Sequence, residues 1–248
     1  VEEDEDYLAI FSQLKELLAS PAWPPAVDAE CICDESLDNK LLRAEGLVDH
    51  MIVDDIKGKK ILDFGCGEGH FVLRSLDKEP ALAVGFDIAD QNWKSLKLPE
   101  PHVVTTNWNT VIRNGPYDAI LAYDVLDHIT NENVVDVLNR LKAVLNPGGY
   151  IKVRCHPWCG RHATHLYAKI NKAFIHLIFS DVELTRLGYG NGMKSQKIIH
   201  PHATYKQWFN DAGLELIKQD ITEDTVEDFF HQTPILNQRI RDNYKGVS

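Results

Sequence analysis

The feature that most constrains this chain is a glycine-rich stretch at positions 60–72, which reads KILDFGCGEGHFV. An apolar strand end is closed by Asp63, and Gly65, Gly67 and Gly69 then lead into the apolar face of a helix. Glycines at a strand-to-helix turn allow positive φ angles and let a ligand approach the main chain closely. The helix N-terminus beyond the turn offers unpaired N–H groups to a polar or anionic group. The stretch therefore predicts a nucleotide-like ligand.

The spacing of the glycines narrows this prediction. A dinucleotide fingerprint needs G-x-G-x-x-G, whereas the third glycine here comes one residue earlier and an acid stands two residues before the first. This pattern resembles motif I of the class I S-adenosylmethionine-dependent methyltransferases. Three more stretches resemble that family in the expected order: AVGFDI at 83–88, YDAILAYDVLDH at 117–128 and LNPGG at 145–149. Because all four are in register over 60–154, we expect the fold of this family.

The resemblance implies an α/β fold with a seven-stranded, mostly parallel, doubly wound sheet, N-terminal helices and an insertion after the fifth strand. We expect LNPGG to be a turn before a fifth strand at 150–155 and a further strand to lie at 215–221. A last antiparallel strand should fall within 225–248, although the apolar residues there do not alternate cleanly. Helical spacing predicts helices near 1–20, 39–56, 131–145 and 205–213. Trp23 is predicted to anchor the first of them.

We divide the chain into four segments: a helical segment at 1–57, a donor-binding core at 58–155, an acceptor-binding cap at 156–202, and the C-terminal part of the core at 203–248. The cap is inserted at the carboxyl edge of the sheet, where open α/β sheets bind ligands. Apolar residues from 166 to 178 predict one helix in it, with His165, Lys169, Lys172 and His176 on another face. Three glycines within 188–192 predict a mobile lid.

Charge is distributed unevenly along the chain. The formal net charge is −11, yet the segment from Arg140 to Lys206 holds 11 Lys and Arg against only two acids, Asp181 and Glu183. Such a division suggests an anionic partner, either a small molecule or RNA, held by one face. A dipolar surface without a specific partner is the alternative.

Composition also bears on where the protein works. No stretch is long and apolar enough to cross a bilayer, and no signal-peptide pattern is present, so we expect no membrane partner. The five cysteines, of which Cys66 lies inside the glycine-rich stretch, argue against a disulfide framework. We therefore expect a cytoplasmic protein, whose oligomeric state the sequence leaves open.

The resemblance implies that S-adenosylmethionine is the methyl donor and indicates which residues bind it. Positions that match the family motifs are Asp63, Gly65, Cys66, Gly67, Asp87, Ile88, Asn107, Trp108 and Tyr123. Asp87 falls about 20 residues after the turn, the usual place for an acid that holds ribose hydroxyls. Trp108 is interpreted either as a stacking surface for the adenine or as a core residue.

Candidates for a catalytic base lie at His128 and in the loop CHPWCGRHATH at 155–165, with His156, His162 and His165. A neutral imidazole can take a proton near pH 7, so these histidines suit an acceptor that must be deprotonated. The loop also holds zinc-type ligands, but their C-x3-C-x2-H-x2-H spacing is tighter than that of usual fingers.

A metal-using site is a second possibility for the acceptor side. Asp124, Asp127 and His128 resemble an E-x-x-E-H sequence of two metal-dependent branches of the family, the ubiquinone-pathway O-methyltransferases and the small-RNA 3′-terminal 2′-O-methyltransferases. Carboxylate and imidazole ligands suit magnesium, manganese or zinc. Aspartate replaces both glutamates here, which shortens the reach of the ligands, so a divalent metal is not the favoured interpretation.

These patterns together predict an S-adenosylmethionine-dependent methyltransferase that acts on an oxygen or nitrogen nucleophile of an anionic or small-molecule acceptor, such as RNA, a nucleotide or a metabolite. One alternative is a metal-assisted hydroxyl methyltransferase that uses Asp124, Asp127 and His128. Another is a scaffold subunit that binds the donor without catalysis.

Overall fold

The computed structural model describes residues 5–28, 36–52, 54–91, 93–156, 158–162, 166–189, 200–222 and 228–243. The chain forms two compact units. The core unit comprises Asp34–Cys155 and Lys206–Glu215, and the helical unit comprises Val1–Cys33, His156–Tyr205 and Leu216–Ser248.

The core unit is built on a parallel sheet. Its strands are β1 (Lys60–Phe64), β2 (Leu82–Phe86), β3 (Val103–Thr105), β4 (Tyr117–Tyr123) and β5 (Leu145–Arg154), in the order β3-β2-β1-β4-β5. All four strand pairs are parallel, so the strands end at one common edge of the sheet. The α/β class predicted from the sequence is confirmed.

Helices occur in both units. In chain order they are α1 (Glu5–Leu18), α2 (Leu37–Met51), α3 (His70–Ser75), α4 (Trp108–Asn114), α5 (Asn131–Ala143), α6 (Ile175–Ile178), α7 (Asp181–Arg186), α8 (His202–Asp211), α9 (Asp228–His231) and α10 (Pro234–Asn243). Short 3-10 helices lie at Leu76–Lys78, Trp93–Ser95, Leu126–His128 and Leu166–Ala168.

The sheet carries an apolar cluster on each face. On one face Met51 of α2 and Phe71 of α3 pack with Ala83 of β2, and on the other Val111 of α4 and Leu141 of α5 join a second cluster. All five residues of β2 are buried, which explains why this strand reads as a continuous apolar run rather than an alternating one. The sheet is thus covered on both faces, as the sequence pattern predicts.

The LNPGG segment differs from its predicted structure. Residues 145–149 belong to β5 instead of forming a turn before it, and the register with β4 shifts between Tyr117 and Ala119. Gly148 takes φ +81° in this irregularity, and a Cβ on Gly149 would lie 2.8 Å from the Asp118 carbonyl oxygen. The two glycines therefore allow extra residues to be accommodated inside a strand.

The seven-strand count is not reached in the described part of the chain, where the sheet has five strands. Residues 214–222 have no regular secondary structure, so the predicted strand at 215–221 is wrong. In the predicted antiparallel strand region, residues 228–231 and 234–243 form α9 and α10. Leu236 and Ile240 of α10 are four residues apart and both pack into the helical unit, a spacing that suits a helix and not a strand.

Trp23 organises the helical unit. Its side chain is 1% exposed, its Nε1–H donates to the Ala173 carbonyl oxygen over 2.9 Å, and its ring packs near Phe179 and Phe230. Leu14 of α1 belongs to the same apolar cluster. The predicted anchoring role of Trp23 is confirmed.

The single helix predicted from position 166 onward is wrong. A 3-10 turn at Leu166–Ala168 is followed by the separate helices α6 and α7, and Phe174 between them takes φ +58°. The predicted polar face does not exist either, since Lys172 Nζ donates to the Ser20 carbonyl oxygen and His176 is 3% exposed. Of the predicted lid, residues 190–192 lie outside the described residues, as does His165.

Among the described helices, none combines the length and the apolar character needed to cross a membrane.

We expect Trp23→Ala to lower the free energy of unfolding by about 3–4 kcal/mol, because it removes a large buried ring and leaves a cavity. Urea unfolding followed by circular dichroism measures this change. Leu42→Ala is the control, since Leu42 is 65% exposed and its truncation should change stability by less than about 0.5 kcal/mol. Equal stability of the Trp23 variant and the wild type would contradict the anchoring role.

Candidate functional site

The candidate site lies at the edge of the sheet where β1, β2 and β4 end. Because these strands are parallel neighbours, the loops that follow them meet there. The glycine-rich stretch follows β1, Asp87 follows β2, and Asp124 follows β4. Open parallel sheets bind their ligands at this edge.

The three glycines of the turn have different physical reasons to lack a side chain. All three take positive φ angles, +80° at Gly65, +50° at Gly67 and +79° at Gly69. A Cβ on Gly65 would lie 2.3 Å from Val125 Cγ2, and one on Gly69 would lie 2.5 Å from Leu96 Cδ2. Near Gly67, no atom of the described chain would come within 4 Å of a Cβ. Gly67 is therefore the one of these three glycines with open space beside its Cα.

Asp87 is held beside that open position. Its Oδ2 accepts a hydrogen bond from the Gly67 N–H over 2.9 Å, and its Oδ1 accepts one from the Ala89 N–H over 3.3 Å. These bonds fix the orientation of the carboxylate, while each oxygen keeps a lone pair for another donor. The next side chain, Ile88, is 90% exposed.

Asp63 is a buried acid at the end of β1. Its residue is only 6% exposed, and none of the described residues donates a hydrogen bond to its carboxylate. Burial, together with the nearby charge of Asp87, raises the pKa of Asp63 to about 7. A carboxylate that lacks donors in a buried position is an expected counter-charge for a cationic ligand group.

A cleft of about 400 Å³ opens next to the turn. It is lined by residues of α2, the glycine turn, α3 and β4: Lys40, Arg43, Ala44, Leu47, Cys66, Glu68, His70, Phe71 and Tyr123. Lys40 Nζ pairs with Glu68 Oε1 over 2.9 Å, and Glu68 Oε2 lies 3.5 Å from His70 Nδ1. The cleft thus presents cations from α2 opposite an acid of the turn, an arrangement that suits a zwitterionic group.

Two of the predicted donor-binding residues have structural roles that the sequence left open. Asn107 caps α4, since its Oδ1 accepts from the Asn109 N–H over 3.0 Å. Trp108 packs edge-on against Phe86 at a ring distance of 5.1 Å, and the Arg140 guanidinium lies 4.6 Å from its ring centre. This geometry favours the core interpretation of Trp108 over the stacking one.

The thiol of Cys66 is buried, and burial raises its pKa well above the usual range.

The first acid after β4, Asp124, forms an ion pair with Arg154 of β5. Asp124 takes φ +52°, and its Oδ2 accepts from Arg154 Nη1 over 2.9 Å. The same guanidinium lies 4.4 Å from the ring centre of Tyr123. Burial and the charges of Asp127 and Asp124 raise the pKa of Cys155 to about 12, so its thiol is unreactive at neutral pH.

The described residues contain no group of three or more His, Cys, Asp or Glu side chains arranged to hold a metal ion. Asp127 is 1% exposed and His128 is exposed, so neighbouring positions of this turn differ in accessibility. His128 lies in the core unit and stays a predicted base.

Two other predicted bases come together in the helical unit. The rings of His156 and His162 are 4.7 Å apart and edge-to-face, and Tyr167 lies 6.1 Å from His162. His176 lies in the same unit, with its Nε2 2.6 Å from the Trp158 carbonyl oxygen. Burial lowers the pKa of His176 to about 4, so this histidine stays neutral at physiological pH.

Most Lys and Arg side chains of the basic segment, Arg140 to Lys206, contact other groups of the described chain. Eight of its side chains contact a carbonyl oxygen, an acid or an aromatic ring: Arg140, Lys142, Lys152, Arg154, Arg161, Lys169, Lys172 and Arg186. Lys142 Nζ, for example, donates to the carbonyl oxygens of Ala212 and Gly213 at the end of α8. The cluster of positive charge therefore has a folding role, whatever partner it meets.

Four residues of the site region were not predicted from the sequence: Lys40, Arg43, Trp93 and Arg154. Lys40 and Arg43 lie on the first turns of α2, where charged residues are ordinarily solvated, so the pattern carries no signal. Trp93 donates from its Nε1–H to the Gly67 carbonyl oxygen over 2.7 Å. An aromatic residue six positions after Asp87 could have been considered as a contact of the turn.

Comparison with known proteins identifies the family of the chain. A methyltransferase-domain family model matches residues 42–219, more than half of the chain. A cyclopropane synthase from Mycobacterium tuberculosis has a similar fold, with a TM-score of 0.50 and 15% identity; the match covers 87% of this chain and 72% of that protein.

Two kinds of curated relative match the sequence. A ubiquinone biosynthesis O-methyltransferase from Vibrio parahaemolyticus is 28% identical over 40% of this chain and 44% of its own length. A tRNA U34 carboxymethyltransferase from Syntrophotalea carbinolica is 29% identical over 73% of this chain and 52% of its own length. The chain thus spans about half the length of the curated relatives it matches.

The matched region contains the glycine turn, Asp63, Asp87 and the whole parallel sheet. The chain belongs to the methyltransferase-domain family and has the fold of the class I S-adenosylmethionine-dependent methyltransferases.

Proposed function

We propose that this protein transfers a methyl group from S-adenosylmethionine to an oxygen or nitrogen nucleophile of an anionic or small-molecule acceptor. The observation that carries the proposal is the open main chain at Gly67, flanked by the fixed carboxylate of Asp87 and the buried carboxylate of Asp63. Membership of the family indicates that the donor is S-adenosylmethionine. The geometry of the turn supports the proposal that the donor binds there.

The ribose and the amino-acid end of the donor would each have polar partners in the core unit. Asp87 would accept hydrogen bonds from the ribose hydroxyls, and the main chain at Gly67 would pack against the ligand. Lys40 and Arg43 would bind the carboxylate of the amino-acid end, and Asp63 would stabilise its ammonium group. The bound donor supplies a methyl group on a positively charged sulfur, which leaves as a neutral thioether.

The protein's own contribution is alignment and, where the acceptor carries a proton, a base. His128, His156, His162 and His165 are the candidates for that base. His156 and His162 are each half-buried, and their ring centres lie 4.7 Å apart.

Two acceptor classes follow from the relatives. The tRNA-modifying relative matches a larger share of this chain than the ubiquinone-pathway relative does, so tRNA is the first acceptor to test. A small-molecule metabolite, suggested by the ubiquinone-biosynthesis relative, is the second. Metal assistance is less well supported, because Asp124 pairs with Arg154 and the described residues offer no three-ligand cluster.

We expect the purified protein to transfer labelled methyl from S-adenosylmethionine into a deproteinised cell extract. Label in the tRNA fraction supports an RNA acceptor, and label in the small-molecule fraction supports a metabolite. Asp87→Asn should reduce transfer at least about tenfold, because it removes a charged hydrogen-bond acceptor from the ribose site. Transfer by the variant at the wild-type rate would contradict the role of Asp87.

The same assay separates the remaining alternatives. A chelator that abolishes transfer, with recovery on adding a divalent ion, would favour the metal-assisted reaction. Absence of transfer into any fraction, with donor binding intact, would favour a scaffold subunit and overturn the catalytic proposal.

We expect Asp63→Asn to weaken donor binding while it stabilises the ligand-free protein at high pH. The pKa of Asp63 is raised from 3.8 in an ordinary carboxyl to about 7, so the folded protein holds more protons than the unfolded chain between these values. Its contribution to stability is therefore lost as the pH rises through this window. Relative to wild type, the variant should gain about 1–3 kcal/mol between pH 5 and pH 8.

Thermal unfolding at pH 5 and pH 8, with calorimetric titration of S-adenosylhomocysteine at pH 8, measures both effects. Asp77→Asn is the matched control, because that acid is in the same unit with a side chain that is 75% exposed. A pH-independent difference in stability between the variant and wild type would rule out the buried, proton-binding state of Asp63.

A further inference from the structure

The loop after β2 folds back onto the glycine turn through a closed circuit of hydrogen bonds. Asp87 accepts from the Gly67 N–H over 2.9 Å and from the Ala89 N–H over 3.3 Å. Asp90 lies three residues after Asp87, and its Oδ1 accepts a hydrogen bond from the Trp93 N–H over 3.2 Å. The Trp93 Nε1–H then donates to the Gly67 carbonyl oxygen over 2.7 Å, which closes the circuit at the residue where it began.

Gly67 is therefore held from both sides. Its N–H is bound by Asp87 and its carbonyl oxygen by Trp93, while its backbone stays at φ +50°. Gly67 has no side chain that could pack and so fix the orientation of its main chain, and the space beside its Cα is open. The two hydrogen bonds fix that orientation instead.

The side chain of Trp93 is itself held in place by packing. Its ring packs against the apolar cluster that includes Cys66 and Phe71, and it begins the 3-10 helix Trp93–Ser95. An aromatic ring anchored in a cluster loses little further freedom when its N–H makes a bond, because only two side-chain torsions need fixing. The indole therefore constrains Gly67 more than a flexible polar side chain would.

We propose that Trp93 is a positioning residue for the methyl donor: its indole N–H fixes the Gly67 main chain and, through it, the carboxylate of Asp87 that receives the ribose. Trp93 acts through Gly67 and Asp87 and needs no contact with the ligand itself. This inference rests on the proposed function, since it assumes that the donor binds at the glycine turn.

The test uses Trp93→Phe, which keeps the ring in the apolar cluster and removes the N–H. We expect S-adenosylhomocysteine to bind the variant about five- to tenfold more weakly in calorimetric titration, the loss of one well-aligned hydrogen bond. Trp23→Phe is the matched control, because Trp23 also donates from its indole to a carbonyl oxygen, over 2.9 Å, but in the helical unit. Its binding should stay within twofold of the wild type.

A second readout distinguishes positioning from a general loss of stability. In ligand-free protein, exchange of the Gly67 amide hydrogen, measured by NMR, should become about tenfold faster in Trp93→Phe, while amides of the β1–β2 ladder keep their rates. Asp90→Ala, which breaks the bond to the Trp93 N–H and leaves the ring intact, should weaken binding two- to threefold. This variant keeps the proposal testable if the tryptophan variant does not fold.

Unchanged affinity and unchanged Gly67 exchange in the folded Trp93→Phe protein would overturn the inference and leave the proposed function standing. Faster exchange throughout the core unit would also overturn it, because Trp93 would then be only a structural residue. Failure of the wild type to bind S-adenosylhomocysteine would instead overturn the proposed function on which the inference rests.

Discussion

The candidate donor site depends on the close approach of Gly65 to Val125, which joins the end of β1 to the turn after β4. A Cβ on Gly65 would lie 2.3 Å from the Val125 side chain, so only glycine permits the two loops to approach. Gly69 makes the same kind of room for Leu96. These two contacts fix the turn before and after Gly67. The space beside Gly67 stays open, while its N–H donates to Asp87 and its carbonyl oxygen accepts from Trp93.

Buried charge at this site costs stability and is consistent with a binding role. Without a ligand, the folded protein is more stable when Asp63 is protonated and neutral. The raised pKa of Asp63 reflects the free-energy cost of its buried charge. A cationic ligand group would offset it. Elsewhere the chain uses charge differently, since the Lys142 and Lys172 ammonium groups donate hydrogen bonds to main-chain carbonyl oxygens.

Local patterns predicted the parts of the molecule that local physics determines. The glycine turn and the buried strands β1 and β2 follow from spacing and apolar runs, and Trp23 was correctly expected to anchor the first helix. The segment at 215–221 looked like a strand but makes no ladder, because strand formation requires a partner that the sequence does not reveal. Likewise, burial of His176 and the pairing of Arg154 with Asp124 depend on contacts between distant positions.

We propose that the open turn at Gly67 binds S-adenosylmethionine and not a dinucleotide. Calorimetric titration of the wild-type protein with S-adenosylmethionine, and separately with NAD, is the experiment that tests this proposal. We predict saturable one-to-one binding of S-adenosylmethionine and none of NAD, because the glycine spacing departs from the dinucleotide fingerprint. Binding of NAD without S-adenosylmethionine, or of neither, would contradict this account of the site.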